Sequence, residues 1–247
     1  MLILLTNDDG VGAPGLEALR QALDSIGDVW VVAPNGERST SSQTLTLREP
    51  VAVKRVGPRE FAVDGWPADC TYLGLFGLLP QRPDIVVSGI NLGPNLGTDV
   101  LYSGTVGAAR EAYSRGVSAI AVSLVVGHDF GLAARFTRSL VEELERGSES
   151  LLLNVNVPSG EAKGARIARL GRRIYPENIE LVEERGDLAS YRLASKGRPR
   201  DALIPGSDGE VIEQGMISVT PLGLDSTLGE VMSSVSAISG SAWKHIS

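Results

Sequence analysis

Short, mostly apolar runs alternate with amphipathic stretches along the first two-thirds of the chain. Leu2-Ile3-Leu4-Leu5, Val29 to Ala33, Ile85 to Ser88, Ala119 to Ser123 and Leu151 to Val157 are too short for core helices. Flanked by turn residues, they read as strands buried on both faces. Between them, Gly15 to Ile26 places Leu16, Leu19, Ala22 and Leu23 on one helical face. Asp69 is positioned to cap a helix running through Leu79, which Pro80 and Pro83 end. Further helices are predicted from Ser103-Gly104-Thr105 through Arg115 and over Leu132 to Arg146. Strands separated by helices of this length predict βαβ units, a parallel sheet and right-handed crossovers. Thr44 to Leu47, Val51 to Val56 and Phe61 to Val63 read as short antiparallel strands of an insertion.

Beyond Pro158 the rhythm changes. Ile167 to Leu170, Tyr191 to Leu193 and Met216 to Thr220 are isolated strand candidates joined by charged, glycine-containing loops. They bury little among themselves, so they are expected to pack on the main domain or on a second subunit. The predicted fold class is α/β: a Rossmann-like three-layer core over residues 1–157 with a mostly parallel sheet. Residues 158–247 form a C-terminal extension with a β-hairpin, whose Ser-rich tail, Ser233 to Ser241, reads as a helix or docking arm.

Composition narrows the partners. The 247 residues are 43% hydrophobic and 21% charged, enough for a packed core. A net charge of −7 opposes binding to a nucleic-acid polymer, whose partners carry basic patches. It allows a small anion, because one cation and a few backbone N–H groups reverse the sign locally. The lone Cys70 fits a reducing compartment. The N-terminus lacks a signal peptide's basic start, and no run approaches the ~20 apolar residues that span a bilayer. A soluble cytoplasmic protein without a membrane partner is expected.

The candidate chemistry begins where the first strand ends, at Asp8 and Asp9. Two unpaired carboxylates beside a core strand lose hydration and repel each other. A bound cation removes both penalties, and the carboxyl end of a strand is where ligands sit in open α/β sheets. Three later loops should meet them there. One holds Ser39, the second runs from Gly89 to Gly97 with Asn91 and Asn95, and the third is Tyr102 to Gly107. Carboxylate, hydroxyl and amide oxygens without clustered His or Cys suit Mg²⁺ or Mn²⁺ and disfavour zinc. Ser103 is a predicted helix N-cap, Gly104 lets a ligand approach closely, and such a helix terminus favours phosphate. Each feature also has an ordinary reading as a turn or a cap; their shared place after successive strands favours function.

Gly10-Val11-Gly12-Ala13-Pro14-Gly15 spells a dinucleotide fingerprint between a strand and a helix. The preceding aspartates would repel a pyrophosphate, and the second strand ends Ala33-Pro34-Asn35 without the acid that binds ribose; Glu37 is the nearest. A tight turn and helix start account for the glycines. A Ser-His-Asp triad would need His128 or His245, neither of which lies in a motif. Cys70 reads as a core residue.

Asn7-Asp8-Asp9-Gly10, Val32-Ala33-Pro34, Pro67-Ala68-Asp69-Cys70, Ser88 to Asn95 and Ser103-Gly104-Thr105-Val106 together resemble the SurE family of metal-dependent nucleoside monophosphate phosphatases. The resemblance covers Met1 to about Val157 and resumes at Gly215 to Leu222. It departs at Asn35, where aspartate is common, at Trp66 and at Met216, and over Arg172 to Gln214. It implies one divalent ion per subunit, Mg²⁺ or Mn²⁺, held by Asp8, Asp9, Ser39 and Asn91. Asn95, Ser103, Gly104 and Thr105 would surround the phosphate. Asp8 and Asp9 are the expected catalytic pair, one of them, Asp8 before Asp9, orienting the nucleophile or accepting its proton. It further implies hydrolysis of nucleoside 5′- and 3′-monophosphates, trimming of short polyphosphate, and a homodimer or homotetramer with exchanged C-terminal arms. The alternatives are an NAD(P)-binding oxidoreductase using the Gly10–Gly15 turn and a non-catalytic nucleotide-binding module.

Overall fold

The apolar runs form the interior of one nine-stranded sheet in the computed structural model, which describes residues 1–146, 149–197, 199–202, 204–227, 235–236 and 238–239. Its strands are β1 (Leu2–Thr6), β2 (Asp28–Pro34), β3 (Val53–Gly57), β4 (Glu60–Val63), β5 (Ile85–Leu92), β6 (Ser118–Leu124), β7 (Leu152–Val157) and β8 (Ala165–Ile167). After β9 (Arg172–Ile174), β10 (Glu177–Arg185), β11 (Leu188–Ser195) and β12 (Arg200–Ala202) stand apart, β13 (Ile217–Leu222) returns to it. The order across the sheet is β3-β4-β2-β1-β5-β6-β7-β13-β8. Strands β4, β2, β1, β5, β6 and β7 run parallel, and Leu4 of β1 stands beside Trp30 on one side and Val86 on the other.

Alternation along β1 assigns its side chains to two helical layers. Ile3 and Leu5 pack with Leu16, Leu19 and Leu23 of α1 (Pro14–Leu23) and with Val141 of α4 (Gly131–Arg146). Leu4 faces the other way, toward Cys70 of α2 (Pro67–Leu73) and Val106 and Ala109 of α3 (Gly104–Ser114). The result is the expected α/β three-layer core. The chain winds from β1 to β2 on one side and to β5 on the other, so a crevice opens where the order reverses, at the carboxyl ends of β1 and β5.

Three local expectations change. Thr44 to Leu47 forms no strand. The β3–β4 hairpin is antiparallel as expected, but β4 joins the main sheet through a parallel pairing with β2 rather than standing as an insertion. The helix from Pro67 gives way after Leu73 to a π-helical turn at Gly74–Leu78. Asp69 lies inside that helix and reaches back to accept the Trp66 N–H at 2.9 Å.

Past residue 157 the chain extends the same sheet. β13 pairs antiparallel with β7, β8 pairs parallel with β13, and the short α5 (Asp208–Glu213) packs beside them. The hairpin β10–β11 exposes Ile179, Leu181, Val182, Leu188, Tyr191 and Leu193. Most of the tail predicted at Ser233 to Ser241, together with His245, lies outside the described residues. Among the described residues no helix is long and apolar enough to cross a membrane.

Candidate active site at the carboxyl edge of the sheet

A tight turn sets the two aspartates at the end of β1. The Asn7 side chain accepts the Gly10 N–H at 3.1 Å and donates to the Gly10 carbonyl at 2.9 Å. Gly10 has φ +106, and the Gly36 backbone lies 3.1 Å from where its Cβ would stand. Glycine therefore satisfies both the dihedral and the packing. Asp8 is 5% exposed, and its Oδ1 accepts the Thr105 hydroxyl at 2.5 Å. The Thr105 backbone N–H, in the first turn of α3, also donates to it. Burial pushes the Asp8 carboxyl up to about 6 against the pull of these hydrogen bonds, and neighbouring Asp9 adds to the rise. Asp9 is half-buried, and burial, then Glu37, raise its carboxyl above the usual range, opposed by a hydrogen bond from the Leu92 backbone. Among the described residues neither aspartate has a Lys or Arg ion-pair partner.

The loop after β2 closes one side. Ser39 is exposed and donates to Glu37 Oε1 at 2.7 Å. Thr40 and Ser42 hold left-handed φ of 57° and 53°, a costly state for residues with a Cβ that concentrates at ligand sites. The Ser42 N–H and hydroxyl donate to the Tyr102 and Leu101 carbonyls at 2.9 and 2.8 Å, stitching this loop to the one before α3. The fit is close. A methyl at Gly104 would overlap Ser41 Oγ and crowd the Asp8 side chain, and one at Gly107 would overlap the Ser42 carbonyl. Gly104, expected to admit a ligand, thus admits Asp8 and Ser41.

The end of β5 and the loop after it come next; Gly89 to Leu92, expected as loop, belong to the strand. The Asn91 amide nitrogen donates to the Gly93 carbonyl at 2.8 Å, so its oxygen is the atom it has for a cation. Asn95 is buried and held on several sides. Its N–H donates to Asn156 Oδ1 at 2.8 Å, its side chain to Ser123 Oγ at 2.9 Å, and its carbonyl accepts from Asn154 and Asn156. Ser103 caps α3 as expected, accepting the Val106 N–H at 3.0 Å. Thr105, expected beside the phosphate, is fully buried with its hydroxyl committed to Asp8.

Asp8, Asp9, Ser39, Asn91, Asn95 and Ser103 line one cavity of about 820 Å³, with Glu37, Asp99, Tyr102 and Tyr175. Sequence reasoning gave Glu37 no part in this site and overlooked Asp99, Tyr175, Asn154 and Asn156. The last two had a signal, since two asparagines inside a fully buried strand need partners. A second cavity, of about 560 Å³, lies on the other side of Asp9 against Val11, Gly12, His128 and Phe130. The Gly10–Gly15 motif is otherwise structural: Gly15 lies directly under the Ile90 carbonyl, and Asn35 bonds Asp64 at 3.3 Å. The buried Cys70 thiol is raised far above its usual range by burial first, which leaves it unreactive.

The donor set fits a hard cation. Among the described residues no three His, Cys, Asp or Glu side chains group as a metal centre, so a cation here would have to rely on the two aspartates and neutral oxygens. The Ser41 hydroxyl, buried near Asp8 and Gly104, has no hydrogen-bond partner among the described residues, which fits a polar guest nearby.

Comparison with known proteins agrees. The family model described as Survival protein SurE matches residues 3–177. The 5′-nucleotidase SurE of Anaeromyxobacter dehalogenans (strain 2CP-1 / ATCC BAA-258) is 50% identical over 234 residues, 92% of this chain and 91% of that protein. The 5′-nucleotidase SurE of Desulforudis audaxviator is 44% identical over 240 residues, 92% and 93% respectively. The crystal structure of the SurE protein from Aquifex aeolicus superposes with a TM-score of 0.83 at 37% identity, covering 97% of this chain and 100% of that one.

Proposed function

Because this chain belongs to the SurE family, we propose that its carboxyl-edge cavity hydrolyses nucleoside 5′-monophosphates to nucleoside and inorganic phosphate. It is a metal-dependent nucleotidase, a phosphoric monoester hydrolase. The observation that carries the reading is the Asp8–Asp9 pair, set at a strand end with raised carboxyls and, among the described residues, no Lys or Arg partner. The ion would be Mg²⁺ or Mn²⁺, one per subunit, held by Asp8, Asp9, Ser39 and Asn91. A cation at this place supplies charge neutralisation for phosphorus chemistry and makes a bound water more acidic.

The chain's own residues do the rest. Thr105 fixes the Asp8 carboxylate through Oδ1, and Asp8 so held would orient the attacking water and take up its proton. The start of α3, capped by Ser103, turns its dipole toward the site and favours the phosphate dianion. Asn95, clamped by Asn154 and Asn156, presents a fixed edge to the same group. Preorganised polar groups of this kind stabilise developing charge without reorganising during reaction.

The reading extends to 3′-monophosphates and short polyphosphate, to a cytoplasmic homodimer or homotetramer, and to exchange of arms from the C-terminal third between subunits. The row of exposed apolar side chains on β10–β11 supports the last of these. Phosphate release from a nucleoside monophosphate with added Mg²⁺ or Mn²⁺ tests the activity. Undiminished release in excess chelator would overturn it. NADH binding in place of turnover would favour an oxidoreductase, and nucleotide binding without turnover under any divalent ion a binding module.

A further inference from the structure

The cavity beside Asp8 and Asp9 has two unlike kinds of lining. Besides the acids, amides and hydroxyls already described, it presents Tyr102, Tyr175 and Leu193. At about 820 Å³ the space far exceeds what a phosphate group needs and lies in the range that houses a whole small-molecule ligand. Tyr102 is 64% exposed and borne on a loop. Tyr175 differs because its position is built. Its phenol hydrogen-bonds with Asp99 and Arg173. Arg173 in turn is part-buried and pairs with Asp99 at 3.1 Å and Asp201 at 2.9 Å. Asp99 belongs to the 3₁₀ turn Gly97–Leu101, which leads directly into Tyr102 and Ser103. The ring is therefore anchored to the same turn that delivers the phosphate end of the site. An aromatic surface fixed in advance loses little conformational freedom on binding.

We infer that Tyr175 is the specificity wall of this site, the surface on which the nucleobase stacks while the phosphate lies at Asp8, Asp9 and Ser103. The inference rests on the nucleotidase reading and deepens it by naming what separates a nucleotide from other phosphomonoesters. Stacking tolerates every base because each has a π-face, so the wall selects for a base without choosing among them. Arg173 acts through Tyr175 and Asp99 as a positioning residue.

Binding, measured by titration calorimetry with Mg²⁺, tests this apart from turnover. One probe is a nucleoside phosphonate whose 5′ oxygen is replaced by carbon, which binds without being cleaved; the other is methylphosphonate, which lacks the base. Tyr175→Ala should weaken the nucleoside phosphonate roughly 5- to 150-fold, the range of one base–aromatic stack. It should leave methylphosphonate within twofold of wild type. Tyr175→Phe keeps the ring and should retain most of the affinity, which separates stacking from a folding defect. Equal weakening of both probes, or of neither, would overturn the inference. So would a loss that follows Phe130→Ala instead, which would put the base in the 560 Å³ cavity beside Val11 and His128. Failure of wild type to release phosphate from any nucleotide would sink the nucleotidase reading while leaving the binding result intact.

Discussion

Two acidic clusters stand near each other in this protein, and they solve the same electrostatic problem in opposite ways. Asp99 and Asp201 share Arg173, and Asp208 accepts N–H donors from Gly97, Gly171 and Gly209 at 2.8 to 2.9 Å. Asp8 and Asp9 have hydrogen bonds but, among the described residues, no Lys or Arg partner. Where the chain supplies the counter-charge, acids act as joints. Where none is found among the described residues, like charges held close together are what a divalent ion would neutralise. The distinction is one of partners rather than of residue type.

Asp8→Asn or Asp9→Asn strikes the open cluster and should have the largest effect. Phosphate release should fall by roughly 10²–10³-fold or more with an unchanged circular dichroism spectrum. A fully active variant would erase the contrast. At the closed cluster, Arg173→Met leaves two part-buried carboxylates facing each other. Unfolding in urea should show a loss of about 3–5 kcal/mol; a wild-type midpoint and slope would show that the cluster bears no strain.

A pH series separates the clusters further. In chelator, the Asp8 carboxyl rises from 3.8 to about 6 on folding. The folded state then holds its proton more tightly than the unfolded one. The contribution is fully present below pH 3.8 and is lost as pH rises through about 6, on the order of 3 kcal/mol in all. Thermal melts should therefore show metal-free stability declining over that window, Mg²⁺ restoring it near neutrality, and Asp8→Asn flattening the decline. A stability that rises with pH in wild type but not in Asp8→Asn would contradict the assignment. The smallest expected effect comes from Thr105→Val. Loss of one hydrogen bond to a charged group should lower kcat about tenfold and move the acid limb of its pH profile upward, because that bond holds the Asp8 carboxyl down. An unmoved acid limb would break the link between Thr105 and Asp8.

The sheet's central strands could be read in advance because β1, β2 and β5 to β7 are buried on both faces, which leaves near-continuous apolar runs. Of the hairpin β10–β11 only the expectation of a hairpin and the stretch Tyr191 to Leu193 could, since its residues are exposed on both faces and β10 bears no clean alternation. Local grammar placed Ser103 as a cap and the Asn7–Gly10 turn at the end of β1. The roles of Thr105, Glu37 and Tyr175 depend on distant partners, and no pattern in a single chain states that residue 105 will meet residue 8. The pairing of β4 with β2 escaped for the same reason. Adjacent strands suggested a hairpin, and a hairpin exists, but its place in the larger sheet is a tertiary choice.

The joint between Asp208 and the Gly97 N–H spans 111 positions of chain. During synthesis the segment bearing Asn95 and Ser103 leaves the ribosome long before its fastener does. The nascent core can acquire its strands early, while the catalytic crevice takes final shape only after α5 has emerged. Maturation of the enzyme is thereby tied to near-completion of its polypeptide, so a chain truncated before Asp208 should retain much of the sheet and lack a finished crevice.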